Sequence, residues 1–394
     1  MPARRVPARR APDVRARLLA VGVLVGALVF VVVVALTLGG GERAPERPAP
    51  GEASRPTPER EEAAARGAPV DDLSLDEQVG SLVVLRFAGT TLPDYVERIL
   101  GDGEAAGVIL FADNLTGPGQ ARALTKSIQR AASGDALIMV DQEGGPVRNL
   151  PWLGPAQAAS EQGGSAAVRA TSRQAGRALA DQGFNVVLGP VADVPSVPGS
   201  ALAGRGFSTD PQIAGERVAA AVRGWQEGGV VATLKHFPGL GAATTNTDDG
   251  PATVKGGREE LPDLVAFRAG LKADPGLVML SSARYPGLDP AMLALASPVV
   301  VGDLLRDALG FDGVVITDSL ESRAVQARLT VEEAAVGSVQ AGGDIALTTG
   351  RGSWIRVFRA VGDRARSDEN FRARVRESAA RVLELKRSAG RGGS

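Results

Sequence analysis

Gly313-Val314-Val315-Ile316-Thr317-Asp318 places four β-branched residues in succession and ends on a carboxylate. An apolar run without alternation reads as a strand covered on both faces, the habit of parallel sheets. Seven other runs of this kind recur along the chain: 81–87, 107–111, 136–141, 185–193, 230–236, 277–282 and 344–348. The intervals between them are long enough for helical crossovers, and Ala166–Gln182 and Pro211–Glu227 are the clearest helices. Eight β/α units in one stretch predict an α/β fold of the (β/α)8 TIM-barrel type. A doubly wound open sheet is the alternative. It normally carries a glycine-rich phosphate turn after its first strand, and Arg86-Phe87-Ala88-Gly89-Thr90 is not one.

In a barrel, chemistry gathers at the C-terminal ends of the strands. Polar residues collect at those positions here: Asp113 and Asn114, Asp141-Gln142-Glu143, Asp193, Lys235-His236, Arg284 and Asp318. Each alone reads equally well as a strand-end cap or a buried ion pair. Sharing one rim, they point to a site, because burying such groups is costly unless they are paired or used.

The rest of the chain narrows the chemistry. Its 394 residues include no cysteine and one histidine, His236, with a formal net charge of −1. Thiol catalysis, cysteine-ligated zinc and multi-histidine metal sites are excluded, so no metal or cofactor is expected. Charge balance and 4% aromatic content argue against a nucleic-acid partner. The balance hides an asymmetry: residues 1–17 carry +5, leaving −6 elsewhere. Leu18 to Leu38 then runs 21 residues without a charge, enough for a helix to cross a membrane. The run is long for a cleaved signal peptide and lacks a good cleavage site, so an uncleaved single-pass anchor is expected. Its N-terminus is then cytoplasmic and the remainder extracytoplasmic. Residues 39–69 hold six prolines and no large apolar side chain, the composition of an extended tether. The folded unit is expected at 70–387, with a flexible tail at 388–394. Oligomeric state is not legible.

Three motifs, Val140-Asp141-Gln142-Glu143-Gly144-Gly145, Lys235-His236-Phe237-Pro238-Gly239 and Gly313–Asp318, stand in an order and spacing that resembles glycoside hydrolase family 3. Within it the likeness is to the single-domain bacterial β-N-acetylglucosaminidase branch, over about Leu73 to Leu385. Gly204-Arg205-Gly206-Phe207 and Gly189-Pro190-Val191-Ala192-Asp193 support it. The resemblance implies a (β/α)8 barrel and a retaining glycosidase acting on a β-linked N-acetylglucosaminide of the cell envelope. It assigns Asp318 as nucleophile, and Asp141, Arg205, Lys235 and His236 as holders of the sugar's hydroxyls.

The chain departs from that pattern around the sugar. Where the branch places an Asp-Ser-His that supplies the acid/base, this sequence reads Asn246-Thr247-Asp248. The expected arginine after the third strand is Asn149, with Arg148 adjacent as the substitute sugar ligand. Leu240, Arg284 and Ser322 replace two histidines and a methionine. Asp248 then has two readings. It serves as the acid/base directly, its carboxyl raised by burial or by Asp318, with Asp249 as a second acid nearby. Alternatively the loop is a solvated turn, and the domain binds glycan without rapid turnover. A third reading, an anchored barrel displayed for protein partners, leaves the motif set unexplained.

Overall fold

The computed structural model describes residues 69–391. Eight strands form one parallel sheet: β1 (Val83–Leu85), β2 (Gly107–Ile109), β3 (Leu137–Val140), β4 (Val186–Val187), β5 (Val231–Phe237), β6 (Leu277–Leu280), β7 (Val314–Thr317) and β8 (Ala346–Leu347). Neighbours follow chain order from β1 to β7, and β8 pairs with β1. The seam between β7 and β8 is closed by an Ile316–Ile345 bridge and by Thr317 N donating to Ile345 O at 2.9 Å. All eight predicted strands are present, in the barrel arrangement.

The helices of eight residues or more are α1 (Asp94–Gly101), α2 (Pro118–Ala131), α3 (Ser165–Ala180), α4 (Pro211–Glu227), α5 (Asp263–Leu271), the π-helical α6 (Val299–Ala308), α7 (Val331–Ala341), α8 (Ser353–Ser367) and α9 (Glu369–Arg391). Local chemistry sets their ends. Asp210 accepts from the amides of Gln212 and Ile213, with Pro211 in the first turn, so α4 starts where the sequence predicts. Thr330 and Glu333 form a capping box on α7, and Gly342, at φ 113°, closes that helix in a left-handed turn.

Strand alternation splits the core in two. Leu137 and Met139, Leu277 and Met279, Val314 and Ile316 point into the barrel. Their neighbours Ile138, Val140, Val278, Leu280 and Val315 point out against the helices. Val382, Leu385 and Ala389 of α9 join the inner cluster and close the barrel's lower end. That helix continues to Arg391, so residues 388–391 are helical where the sequence suggests a tail. Strand β4 is shorter than its predicted run because Pro190 lacks an amide for the ladder; pairing resumes only as a Val191–Lys235 bridge.

The arm, the 18–38 anchor and most of the tether lie outside the described residues. No helix among the described residues is long and apolar enough to cross a membrane.

Candidate active site

The C-terminal ends of the strands surround a cavity of about 340 Å³. Its floor is the last layer of the inner core: Ile109, Leu188, Met279 and Leu347. Its walls carry Asp141, Arg205, Lys235, His236, Asp248 and Asp318. Six of the seven residues expected at the site from the sequence are therefore brought together. Grooves under α9 (about 450 Å³) and between α3, α4 and α5 (about 800 Å³) are larger, but neither contains these groups.

Arg148 is the exception. Val147 and Arg148 form a two-residue strand paired with Gln142–Gly144. Consecutive residues of a strand face opposite sides, and here Val147 lines the cavity, so Arg148 is turned away. Asn149, beside it, is engaged by backbone groups. Its Nδ2 donates to Asp141 O and its Oδ1 accepts from Ala112 N, both at 3.0 Å, which clips the loops after β2 and β3 together. Other departures from the family pattern are also structural. Leu240 is buried, Ser322 caps the single turn Arg323–Gln326, and Arg284 donates to Pro290 O.

Lys235 and Arg205 are held by two carboxylates. Lys235 Nζ lies 2.5 Å from Asp141 and 2.6 Å from Glu143. Arg205 grips Glu143 through two parallel bonds of 2.9 and 2.7 Å. Glu143 has no role in the sequence reading, yet it is the hub. Burial disfavours its charge, but Lys235 and Arg205 prevail and hold its carboxyl at about 2. The signal was available: Asp141 and Glu143 are two apart on an extended segment, hence on one face.

Behind this layer, Asp193 orients the histidine. Its Oδ2 lies 2.7 Å from His236 Nδ1, and Oδ1 accepts Leu240 N at 2.7 Å. Beside it, buried Asp263 at the start of α5 accepts the amides of Val194 and Gly241, both at 2.9 Å. This ties the loops after β4 and β5 together so closely that a Cβ on Gly241 would sit 1.9 Å from Val194 O. Asp263 Oδ2 has no hydrogen-bond partner. Burial, and then the charge of Asp193, push its carboxyl up to about 7. A carboxyl raised in the folded state contributes fully below its unfolded value and loses that contribution as pH rises through the folded one. Thermal unfolding at pH 5 and pH 8 should therefore differ by roughly 5 °C, with the higher Tm at pH 5. Asp263→Asn should remove most of that difference; an unchanged difference would reject the assignment.

Asp318 follows β7 and is half-buried, its Oδ1 accepting Ser319 N at 2.7 Å. Ser319 and Thr349 hydroxyls meet at 2.6 Å, and Glu321 Oε2 accepts Thr349 N at 2.7 Å, which locks the loops after β7 and β8 beside the carboxylate. On the opposite wall, Asn246 builds a turn: its Oδ1 accepts Asp248 N at 3.2 Å and its carbonyl accepts Asp249 N at 2.9 Å. Thr247 O anchors that turn by accepting Ala324 N at 3.0 Å. Asp248 is exposed at the cavity mouth as a residue while its carboxyl faces inward. Partial desolvation raises that carboxyl, and the charge of Asp318 raises it further; His236 and Arg205 oppose.

Known proteins resemble this chain in sequence and fold. Residues 74–385 match the glycosyl hydrolase family 3 N-terminal domain. The chain is 34% identical over 284 residues to a β-hexosaminidase of Stenotrophomonas maltophilia, covering 68% of this chain and 82% of that one. It superimposes with a TM-score of 0.75 and 32% identity on the β-N-acetylhexosaminidase of Beutenbergia cavernae, covering 80% and 99% of the two chains. A family 3 β-N-acetylglucosaminidase from Paenibacillus gives 0.76 and 31%, covering 80% and 63%. A barrel with this carboxylate-lined mouth, matched along nearly its whole described length, belongs to glycoside hydrolase family 3.

Proposed function

We propose that the protein is a retaining β-N-acetylhexosaminidase acting on a β-linked N-acetylglucosaminide, or a related sugar, of cell-envelope glycans. The observation that carries this reading is the pair Asp318 and Asp248 facing one cavity, the first at a strand end and the second in the loop opposite, where burial and the charge of Asp318 raise the Asp248 carboxyl. Two carboxyls in unlike environments are what acid and nucleophile require. Asp318 attacks the anomeric carbon as the bond to the leaving oxygen breaks, and Asp248 gives that oxygen its proton. Asp248, now a carboxylate, takes a proton from water, which attacks the anomeric carbon and frees Asp318. Asp141, Lys235, Arg205 and His236 hold the sugar's hydroxyls. Residues 18–38 would anchor the barrel outside the membrane; deleting residues 1–38 should then move the protein from the membrane fraction to the soluble one.

The proposal is tested on an aryl β-N-acetylglucosaminide. An activated leaving group needs little protonation, so Asp248→Asn should slow chiefly the second step, by roughly 10²–10⁴. Added azide should restore turnover and form glycosyl azide. The alkaline limb of the wild-type pH profile, where raised Asp248 loses its proton, should vanish in the variant. The turn built by Asn246 and the exposure of Asp248 favour one second reading, a glycan-binding module. Sugar binding by wild type with no turnover would establish that reading and exclude the first.

A further inference from the structure

Three side chains that are always cationic at neutral pH line the cavity, and two are spent inside the protein. Lys235 and Arg205 are committed to Asp141 and Glu143, and the Lys235 side chain is only 2% exposed. The third, Arg86, stands at the end of β1 and is absent from the sequence-based site. Its guanidinium lies over the ring of Phe111, 4.6 Å from the centroid, and both side chains line the cavity. It pairs with Asp113 at 2.9 Å, but the two side chains are 34% and 47% exposed. So exposed a pair contributes little, and a carboxylate presented within the cavity can take Asp113's place at little cost. The Phe111 face meanwhile holds the guanidinium in position.

Strand order places Arg86 with respect to the chemistry. One strand, β8, separates β1 from β7, which carries Asp318; on the other side β6 separates β7 from β5, whose loop carries Asp248. Arg86 therefore faces the substrate from the side opposite the acid/base loop. Asp141 is neutralised by Lys235, so the wall of β1 and β2 is the one able to accept an anion.

The geometry points to Arg86 as a specificity-determining residue that receives a carboxylate of the substrate, making an acidic glycan the preferred one. This rests on the glycosidase reading for the position of the sugar. The carboxylate belongs either to the sugar in the cavity, as in a uronic acid, or to the leaving-group side, and probes separate the two.

The test is calorimetric binding of thioglycosides, which do not turn over. Phenyl 1-thio-β-N-acetylglucosaminide is compared with its 4-carboxyphenyl counterpart, and phenyl 1-thio-β-glucoside with the corresponding glucuronide. Wild type should bind one carboxylated probe roughly tenfold or more tightly than its uncharged parent. Arg86→Gln should abolish that gain while leaving the parent's affinity within about twofold. Arg86→Lys, which keeps the charge but loses the two-pronged fork, should retain part of the gain. Asp113→Asn, which releases Arg86, should enlarge it. Parents that bind with no preference for either carboxylate, or a gain that survives in Arg86→Gln, would overturn this inference alone. No binding of any of the four probes would overturn the glycosidase reading as well.

Discussion

Asp318→Asn should remove turnover of an activated aryl β-N-acetylglucosaminide, lowering kcat by roughly 10⁴ or more, while the barrel remains folded. The two halves of that expectation have different origins. The fold tolerates the change because the backbone amide of Ser319 donates to Asp318 Oδ1, a bond that an amide oxygen still accepts. The half-buried side chain also leaves no cavity on becoming its isostere. The proposed mechanism does not tolerate it, since an amide cannot form the glycosyl ester. Nor can a neighbour stand in readily: Asp141 is held by Lys235, and Glu143 lies between Lys235 and Arg205. Steady-state kinetics with an unfolding curve on the same preparation decides the matter. Activity within tenfold of wild type would reject Asp318 as nucleophile. Comparison with Asp248→Asn sharpens the result, because azide should rescue the acid/base variant and leave Asp318→Asn inert.

The largest effect on stability is expected away from the site, at Asp344. This carboxylate is fully buried at the seam where β8 meets β7. Its Oδ2 accepts Arg306 at 2.6 Å and the amide of Val315 at 2.9 Å; its Oδ1 accepts Arg374 at 3.0 Å, Arg381 at 3.1 Å and Ser378 at 2.9 Å. One side chain thus joins β7, α6 and α9 to the start of β8. Burial opposes its charge, but the three guanidinium groups outweigh it and hold the carboxyl at about 2. Asp344→Ala would strand buried Arg306 without its counter-charge, which costs about 3–5 kcal/mol in comparable buried pairs. Denaturant unfolding should show a loss of that size, against a far smaller loss for exposed pairs such as Arg356–Glu332. The pH dependence has a definite sign. A carboxyl lowered in the folded state contributes fully above its unfolded value near 4 and loses that contribution as pH falls through about 2. Asp344→Asn should therefore flatten part of the acid limb of the stability profile. An acid limb identical to wild type would reject this account.

Most of the architecture was legible in local sequence. Continuous β-branched runs marked the strands, and the helical run Pro211–Glu227 marked α4, because both signals act over a few neighbouring residues. Asp141, Lys235, His236 and Asp318 were also legible, since a strand's end emerges at the barrel mouth, whereas Arg205 and Asp248 came from the family resemblance alone. Arg148 was misplaced because its facing depends on a hairpin pairing only two residues long. Glu143 and Arg86 were missed for the converse reason. Their significance lies in partners 92 and 27 positions along the chain, Lys235 and Asp113; the local spacing of Asp141 and Glu143 shows a shared face but not the cations that meet it.

By itself, then, the sequence determined the eight-unit barrel, the absence of cysteine and the presence of Asp248 where the resemblance places an acid/base histidine. These are matters of periodicity and inventory, which need no coordinates. Only the tertiary structure decided that His236 is oriented by Asp193, that Glu143 pairs with both Lys235 and Arg205 beside the cavity, and that Asp248 faces Asp318 across a partly desolvated mouth. Charge compensation and desolvation are set by distances between residues far apart in the chain, and those distances exist only once the barrel has closed.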